Sequence, residues 1–413
     1  MNVLKLLLDR TNFMIFFIII WDTLKFYLGL DAAIYQFLIL LPVLFLGLTD
    51  NISSPLFWKT ISSRPGSVWL IWIIFALLNT FFITGFFHPN SQSPFVFISA
   101  IVITFLFFIV IISKKYSTKS LIIVMQLAFA VRLIISFIFD SSSIQGSDTV
   151  ARFGSEFNSN AIAFGALFYI ILMIIKKIQF NKTHIIEYAF AIVSIATILL
   201  TASKKNFLTL VFVILSYLVI KRSKNVIKNI ILGFISFGLV AILGFWTLNN
   251  TGIGTRILHT FEKSANAEST DKMFDHRMSY YINGWEFFKE NPINGIGLIN
   301  FPYRNNSTHV LHTEYMVQLT ENGIIGTSLF ILFYGYIIKH LLKIRISACI
   351  NQRRTAEVYL LGILVMFILF FGSWIYNNPL MWVLIALAVR FIRQSKNNIK
   401  KLRQNYAKIT VNG

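Results

Sequence analysis

Apolar residues run through this chain in long blocks rather than in stripes. A helix crosses a bilayer in roughly 17 to 25 mostly apolar residues, and blocks of that order recur along almost the whole length. The pattern predicts about twelve spans: 11–30, 33–48, 68–87, 95–112, 120–139, 160–175, 184–201, 206–220, 226–247, 322–338, 356–374 and 376–392. One long polar segment, 248–311, interrupts them. Within it, KMFDHRMSYYINGWEFFKENP (272–292) sets Phe274, Met278, Tyr281, Trp285 and Phe288 on one stripe at helical spacing. Asp275, Ser279, Asn283, Glu286 and Glu290 fall opposite, and Asn291-Pro292 ends the run. This reads as an amphipathic helix lying at a membrane interface. The expected fold is therefore an all-α polytopic membrane protein with one large external loop. Its parts are helices one to nine in 1–247, the external loop in 248–311, a polar-headed helix and the last three spans in 312–394, and a basic cytoplasmic tail in 395–413.

Composition agrees. Of 413 residues 56% are hydrophobic and only 13% charged, about half the charged fraction of a soluble chain. The first apolar run lacks a small-residue cleavage site and is expected to remain as a helix. A single Cys349 excludes an internal disulfide and a cysteine-built metal site.

The formal charge of +20 would suit nucleic acid, but its distribution points elsewhere. With the N-terminus inside, 26 of the 37 basic residues fall in inner segments or the tail. Short cytoplasmic loops retain Lys and Arg, so the excess is a topology signal, attractive also to anionic inner-leaflet lipid. No nucleic-acid partner is expected. The exceptions are more informative. Six of the remaining basic residues lie in 248–311, where six acidic residues balance them. Lys204 and Lys205, in the tight outer turn TASKKNF, have no acidic neighbour in sequence. They mark either an outward anion site or a turn that is really inside. Arg132 lies within the fifth span, where a guanidinium faces a cavity or partner, or snorkels to the surface. Arg277 borders the apolar arc of the amphipathic helix and needs an anion, whether a lipid phosphate or one in the protein's own cavity.

The head of the tenth span is polar. In THVLHTEYMVQLTENGIIGTSLFILFYGY (308–336), a helix over 312–321 puts His312 on a face with Tyr315, Met316 and Leu319. That face continues to Gly323 and Gly326, small residues that admit a neighbouring backbone. Glu314, Gln318 and Glu321 take the other side. An imidazole at a helix mouth titrates near neutrality and can accept a hydroxyl proton, but a lone histidine is also a common structural residue. His309 and His312 have no third ligand at a metal-binding spacing.

This stretch resembles the C-terminal signature of the O-antigen ligase and polysaccharide polymerase superfamily: His312-Thr313, nine residues, then Gly323-Ile324-Ile325-Gly326-Thr327. Three more segments resemble family motifs in the same order. FNSNAIA (157–163) is similar to an Asn-Pro-Asn segment, with Ser159 for Pro. LLTASKKNFLTL (199–210) is similar to a Thr-x-Ser-Arg segment, with Lys204 for Arg. RMSYYINGWEFFKENPINGIG (277–297) is similar to an Arg, Trp, Pro and Gly-x-Gly run. The lysine is a departure, since Arg offers phosphate a planar fork and Lys a point charge.

The resemblance implies a GT-C-like bacterial inner-membrane glycosyltransferase with termini in the cytoplasm and an outward active site. It implies no metal or cofactor. The donor would be an oligosaccharide on undecaprenyl pyrophosphate, and the acceptor a lipid-linked repeat unit or a lipid A core. By the same resemblance Arg277 and Lys204 would bind the pyrophosphate and His312 would deprotonate the acceptor hydroxyl. Lys205 and Arg132 would support the anion, and Glu314 or Glu321 would orient the histidine or the sugar. Polymerase is the favoured activity, with ligase to lipid A core or to protein as the alternative. A lipid-linked sugar transporter and a structural scaffold are the rival classes.

Overall fold

The computed structural model describes residues 6–28, 40–84, 94–114, 117–140, 159–201, 203–221, 270–306, 311, 313–347, 349–372 and 378–412. These residues form fourteen helices and no strand. In chain order they are α1 (Arg10–Tyr27), α2 (Leu41–Ile52), α3 (Pro55–Ile61), α4 (Arg64–Thr84), α5 (Pro94–Ser113), α6 (Thr118–Asp140) and α7 (Ser159–Phe180). There follow α8 (Ile185–Leu200), α9 (Lys204–Lys221), α10 (Thr270–Glu290), α11 (Asn300–Arg304), α12 (Glu314–Ser347), α13 (Ile350–Phe370) and α14 (Pro379–Asn412).

Four helices are long and apolar enough to cross a membrane, over Arg64–Phe82, Thr118–Phe139, Asn160–Phe180 and Glu314–Ile346. Five shorter apolar stretches lie at Arg10–Trp21, Pro42–Ile52, Ile98–Ser113, Ile185–Leu200 and Lys205–Ile220. The expected span 226–247 lies outside the described residues, as does 33–39 of the second span. The polar segment after the second span contains a short helix, α3. Ser54 caps it by accepting from the Leu56 amide at 3.3 Å, and Pro55 opens it. α14 runs from Pro379 to Asn412, through the basic residues after the last expected span.

Aromatic residues fill the centre. Trp69 of α4 stacks on Trp72 at 4.4 Å and meets Trp382 of α14 at 4.5 Å and Phe333 of α12 at 5.1 Å. Phe108 of α5 closes the group at 5.2 Å from Trp382. Apolar solvation cannot drive helices together in lipid, so close packing of this kind must hold them.

The contacts also fix helix directions. Asp9, Lys114, Thr118 and Arg390 meet at one end, so α1 and α6 start there and run parallel. Tyr27 accordingly stacks on Phe139 at 5.1 Å, at the far end of both. The starts of α7, α9 and α12 and the end of α13 gather at that far end.

Candidate active site

The far end is assembled from the four motif-bearing segments, joined in two pairs. Ser203, just before α9, donates to the Asn160 side-chain carbonyl at 2.8 Å, and Asn206 donates to the Ser203 hydroxyl at 2.7 Å. FNSNAIA and TASKKNF are thus held side by side. Ser203 also begins α9, its carbonyl accepting from the Phe207 amide at 3.0 Å. Lys204 and Lys205 follow in the first helical turn, which carries no acidic residue. Two cations there oppose the helix dipole, whose positive pole favours an anion. The Lys205 ammonium bonds the Gly372 carbonyl beyond the end of α13 and lies 4.8 Å over the Phe164 ring. Lys205 is therefore used within the protein, on the carbonyl-rich end of a helix. The Lys204 side chain lies outside the described residues, though its backbone opens α9.

The second pair surrounds a break in α12. Gly323 adopts φ 58°, ψ −163° inside the helix, a region open to glycine alone. The break frees backbone groups that the loop after α10 satisfies. Ile296 and Gly297 amides donate to the Thr320 and Glu321 carbonyls at 2.9 and 2.8 Å. In return, Ile324 and Ile325 amides donate to the Pro292 and Ile293 carbonyls at 2.8 and 3.2 Å. Interrupted helices survive at membrane depth only when other protein supplies such partners. The approach demands glycine on both strands: a Cβ on Gly323 would stand 2.5 Å from the Gly295 nitrogen, and one on Gly295, at φ 73°, 2.5 Å from the Glu321 carbonyl carbon. Gly326 has Phe75 of α4 against it, at 3.1 Å from a built Cβ. Asn79 and Thr80 of α4 pin the loop, donating to the Asn294 carbonyl at 2.6 Å and accepting from the Leu298 amide at 2.8 Å.

α13 joins the pairs. The Tyr315 hydroxyl donates to the Phe367 carbonyl at 3.0 Å, and its ring lies 4.8 Å from Phe371, the neighbour of the Gly372 that Lys205 grips.

His312 lies outside the described residues, between Leu311 and Thr313, both buried. Thr313 caps α12, its hydroxyl accepting from the Met316 amide at 3.2 Å. The small polar neighbour of the histidine thus sets where the helix begins. Glu314 is 0% exposed and Glu321 3%. Glu314 accepts from the Gln318 amide at 2.8 Å, and Gln318's carbonyl accepts from Trp72 at 3.1 Å and Asn322 at 3.3 Å. With both donors on its oxygen, the Gln318 amide group must face Glu314, which fixes the network's direction.

The structure also places Arg132 and the faces of α10. Arg132 does not snorkel: it is 0% exposed, donates to the Ile19 carbonyl at 3.2 Å, and its Cδ is 3.4 Å from a Cβ built on Gly165 of α7. Phe164 beside Lys205 and Gly165 beside Arg132 are adjacent, so the two cations flank one turn of α7. In addition, α10 packs through another face than its aromatic stripe. Tyr280, Gly284 and Phe287 meet Phe301 and the head of α12, whereas Met278, Ile282 and Trp285 are exposed. Gly284 permits the approach, with Leu311 and Thr320 3.2 and 3.1 Å from a built Cβ. Arg277 lies seven residues before Gly284 on α10, about 10 Å along the axis, and its side chain is outside the described residues. The sequence carries no signal for Trp72, Asn79, Thr80 or Tyr315, since each acts through a partner distant in the chain.

No curated protein matches the chain. Residues 189–331 match a family model described as O-antigen ligase. The matched stretch holds the paired lysines, α10, the glycine-closed break and the His312 motif, and it supports a membrane enzyme of the ligase or polymerase type. Through this stretch the chain is similar to the O-antigen ligase family.

Proposed function

We propose that the protein is a bacterial inner-membrane glycosyltransferase that polymerises oligosaccharide repeat units carried on undecaprenyl pyrophosphate. Its far end would face outward, with both termini in the cytoplasm. The observation that carries the reading is the convergence of all four motif segments at one end of the bundle, through Asn160–Ser203 and Gly295–Gly323.

In the proposed step the acceptor sugar hydroxyl attacks the anomeric carbon of the donor. Its proton passes to the His312 imidazole. The bond from that carbon to the pyrophosphate oxygen breaks, and the electron pair leaves with the lipid pyrophosphate. Attack from the opposite face inverts the anomeric centre. Arg277 and Lys204 neutralise the departing pyrophosphate, the role a metal ion plays elsewhere, and this charge stabilisation is the main catalytic task. Lys205 acts one step back, tying the Lys204 turn to α13. Arg132 holds α1 and α6 against α7 beneath that turn. Glu314, fixed by Gln318 and Trp72, supplies negative charge two residues from His312 and favours the imidazolium that forms on proton transfer.

Ligation is the second reading, favoured by the description of the matched family model. Transport has less support. Broken helices do mark transporter binding sites, but the carbonyls freed at Gly323 are taken by loop amides, not left for an ion.

The test is the polysaccharide profile of cells lacking the protein, complemented with wild type or His312→Ala. Single repeat units on the normal acceptor identify a polymerase. Long chains retained on the lipid carrier identify a ligase. A wild-type profile for His312→Ala would remove the proposed base.

A further inference from the structure

The half of α12 remote from the candidate site carries a groove of about 660 Å³, lined by Gly335, Ile338, Lys339, Leu342, Lys343 and Ile346. These residues share one helix face. At Gly335 that face is notched, because a Cβ built there meets nothing within 4 Å. From Gly335 to Ile346 the groove spans about 16 Å of axis, close to one leaflet's half of a ~30 Å hydrocarbon core. Its lining is apolar apart from two lysines, and it includes no acid. A third lysine stands close by: Lys396 of α14 donates to the Tyr336 hydroxyl at 3.1 Å and lies 5.3 Å over that ring. Tyr336 packs on His340 at 4.1 Å, and Lys339, Lys343 and Lys396 all act electrostatically on that histidine. The groove thus joins one leaflet's depth of apolar surface to a concentration of positive charge.

We propose that this groove binds one anionic diacyl phospholipid of the leaflet opposite the candidate site. An acyl chain lies along Ile338, Leu342 and Ile346 into the notch at Gly335, and the phosphate is met by Lys339 and Lys343. Lysines on such a face direct their long stems toward the headgroup level. Any anionic lipid should be attracted there, but the notch adds a chain-binding element that bulk surface charge lacks.

The test uses the full-length protein, stripped of lipid in detergent and re-supplied with either phosphatidylglycerol or phosphatidylcholine. Bound lipid is counted by native mass spectrometry. Each lysine near an anionic headgroup is worth roughly a fivefold preference, so wild type should retain one phosphatidylglycerol about thirtyfold better than phosphatidylcholine. Lys339→Ala/Lys343→Ala should erase the preference. Gly335→Leu, which fills open space and leaves both lysines in place, should displace the lipid while helicity is unchanged. Equal retention of the two lipids by wild type overturns the proposal, as does a Gly335→Leu protein that keeps the bound lipid. A mass doubled in wild type and halved by Gly335→Leu, with no lipid preference, assigns the notch to a second copy of the chain and overturns it too.

Discussion

Where α1, α5, α6 and α14 meet, the buried Lys114 and Arg390 are answered by the protein itself. Lys114 bonds Asp9 and, at 3.0 Å, Asn12. Arg390 caps the end of α5, donating to the Ile111, Ile112 and Lys114 carbonyls at 2.9, 3.3 and 2.7 Å. Lys176 pairs with Glu187 between α7 and α8. At the far end the arrangement is different. Lys204 and Lys205 occupy the first turn of α9, which carries no acidic residue, and the buried Glu314 accepts from the Gln318 amide. Charge at the first end locks helices together. Charge at the second is placed where a helix start already favours an anion. On the proposed function stability and chemistry are divided between the two ends, and substitutions should separate them.

The largest effect on structure should come from closing the break in α12. Gly323→Ala forces a side chain into a glycine-only conformation and against the Gly295 backbone, at a cost of about 3 kcal/mol. The yield of folded, detergent-extracted protein should fall sharply, and a wild-type melting temperature would show that the break is tolerant. Such an outcome would also undo the account of why two glycine pairs occur in these motifs.

Lys114 sharpens the comparison from the other end. Burial lowers its pKa from 10.5 to about 8, against the raising influence of Asp9. The sign follows from linkage: between the folded and unfolded values the unfolded chain binds more protons, so stability rises with pH. The contribution is present at high pH and is lost as pH falls through about 8. The melting temperature should therefore climb between about pH 8 and pH 10 on this account, and Lys114→Met should flatten the climb. Turnover at neutral pH should be unaffected. A slope that survives the substitution would assign it to another group.

The smallest effect expected is from Asn160→Ala, which removes one hydrogen-bond acceptor from the Ser203 hydroxyl. It should cost about 1 kcal/mol of stability. Turnover should fall by about tenfold, since misplacement of a binding group is felt more in rate than in folding. An unchanged rate would detach the FNSNAIA segment from the site.

Much of this molecule is legible in the sequence, in ways that differ by scale. Apolar blocks locate the helices because the bilayer imposes their length and composition. The close approach at Gly323 and Gly326 is legible from their size, whereas the start of α12 at Glu314, after the Thr313 cap, is set two residues later than the expected helix over 312–321. Tertiary use of charge is not legible in this way. Lys114, Lys176 and Arg390 count equally with exposed lysines in a topology sum, yet all three are buried. Arg132 looks the same in sequence whether it reaches the surface or, as here, bonds a carbonyl on α1. The packed face of α10 was hidden for a related reason. Its large aromatics dominate the periodic pattern, while the contact with α12 runs through Gly284, which adds nothing to an apolar stripe.

The most direct measurement is turnover of a lipid-pyrophosphate-linked oligosaccharide by purified full-length His312→Ala and Arg390→Ala, each normalised to folded protein. The account predicts that His312→Ala melts with wild type but loses about 10²- to 10⁴-fold in rate. Arg390→Ala should melt several degrees lower, yet turn over at the wild-type rate per folded molecule. A His312→Ala protein that keeps the wild-type rate would contradict the account.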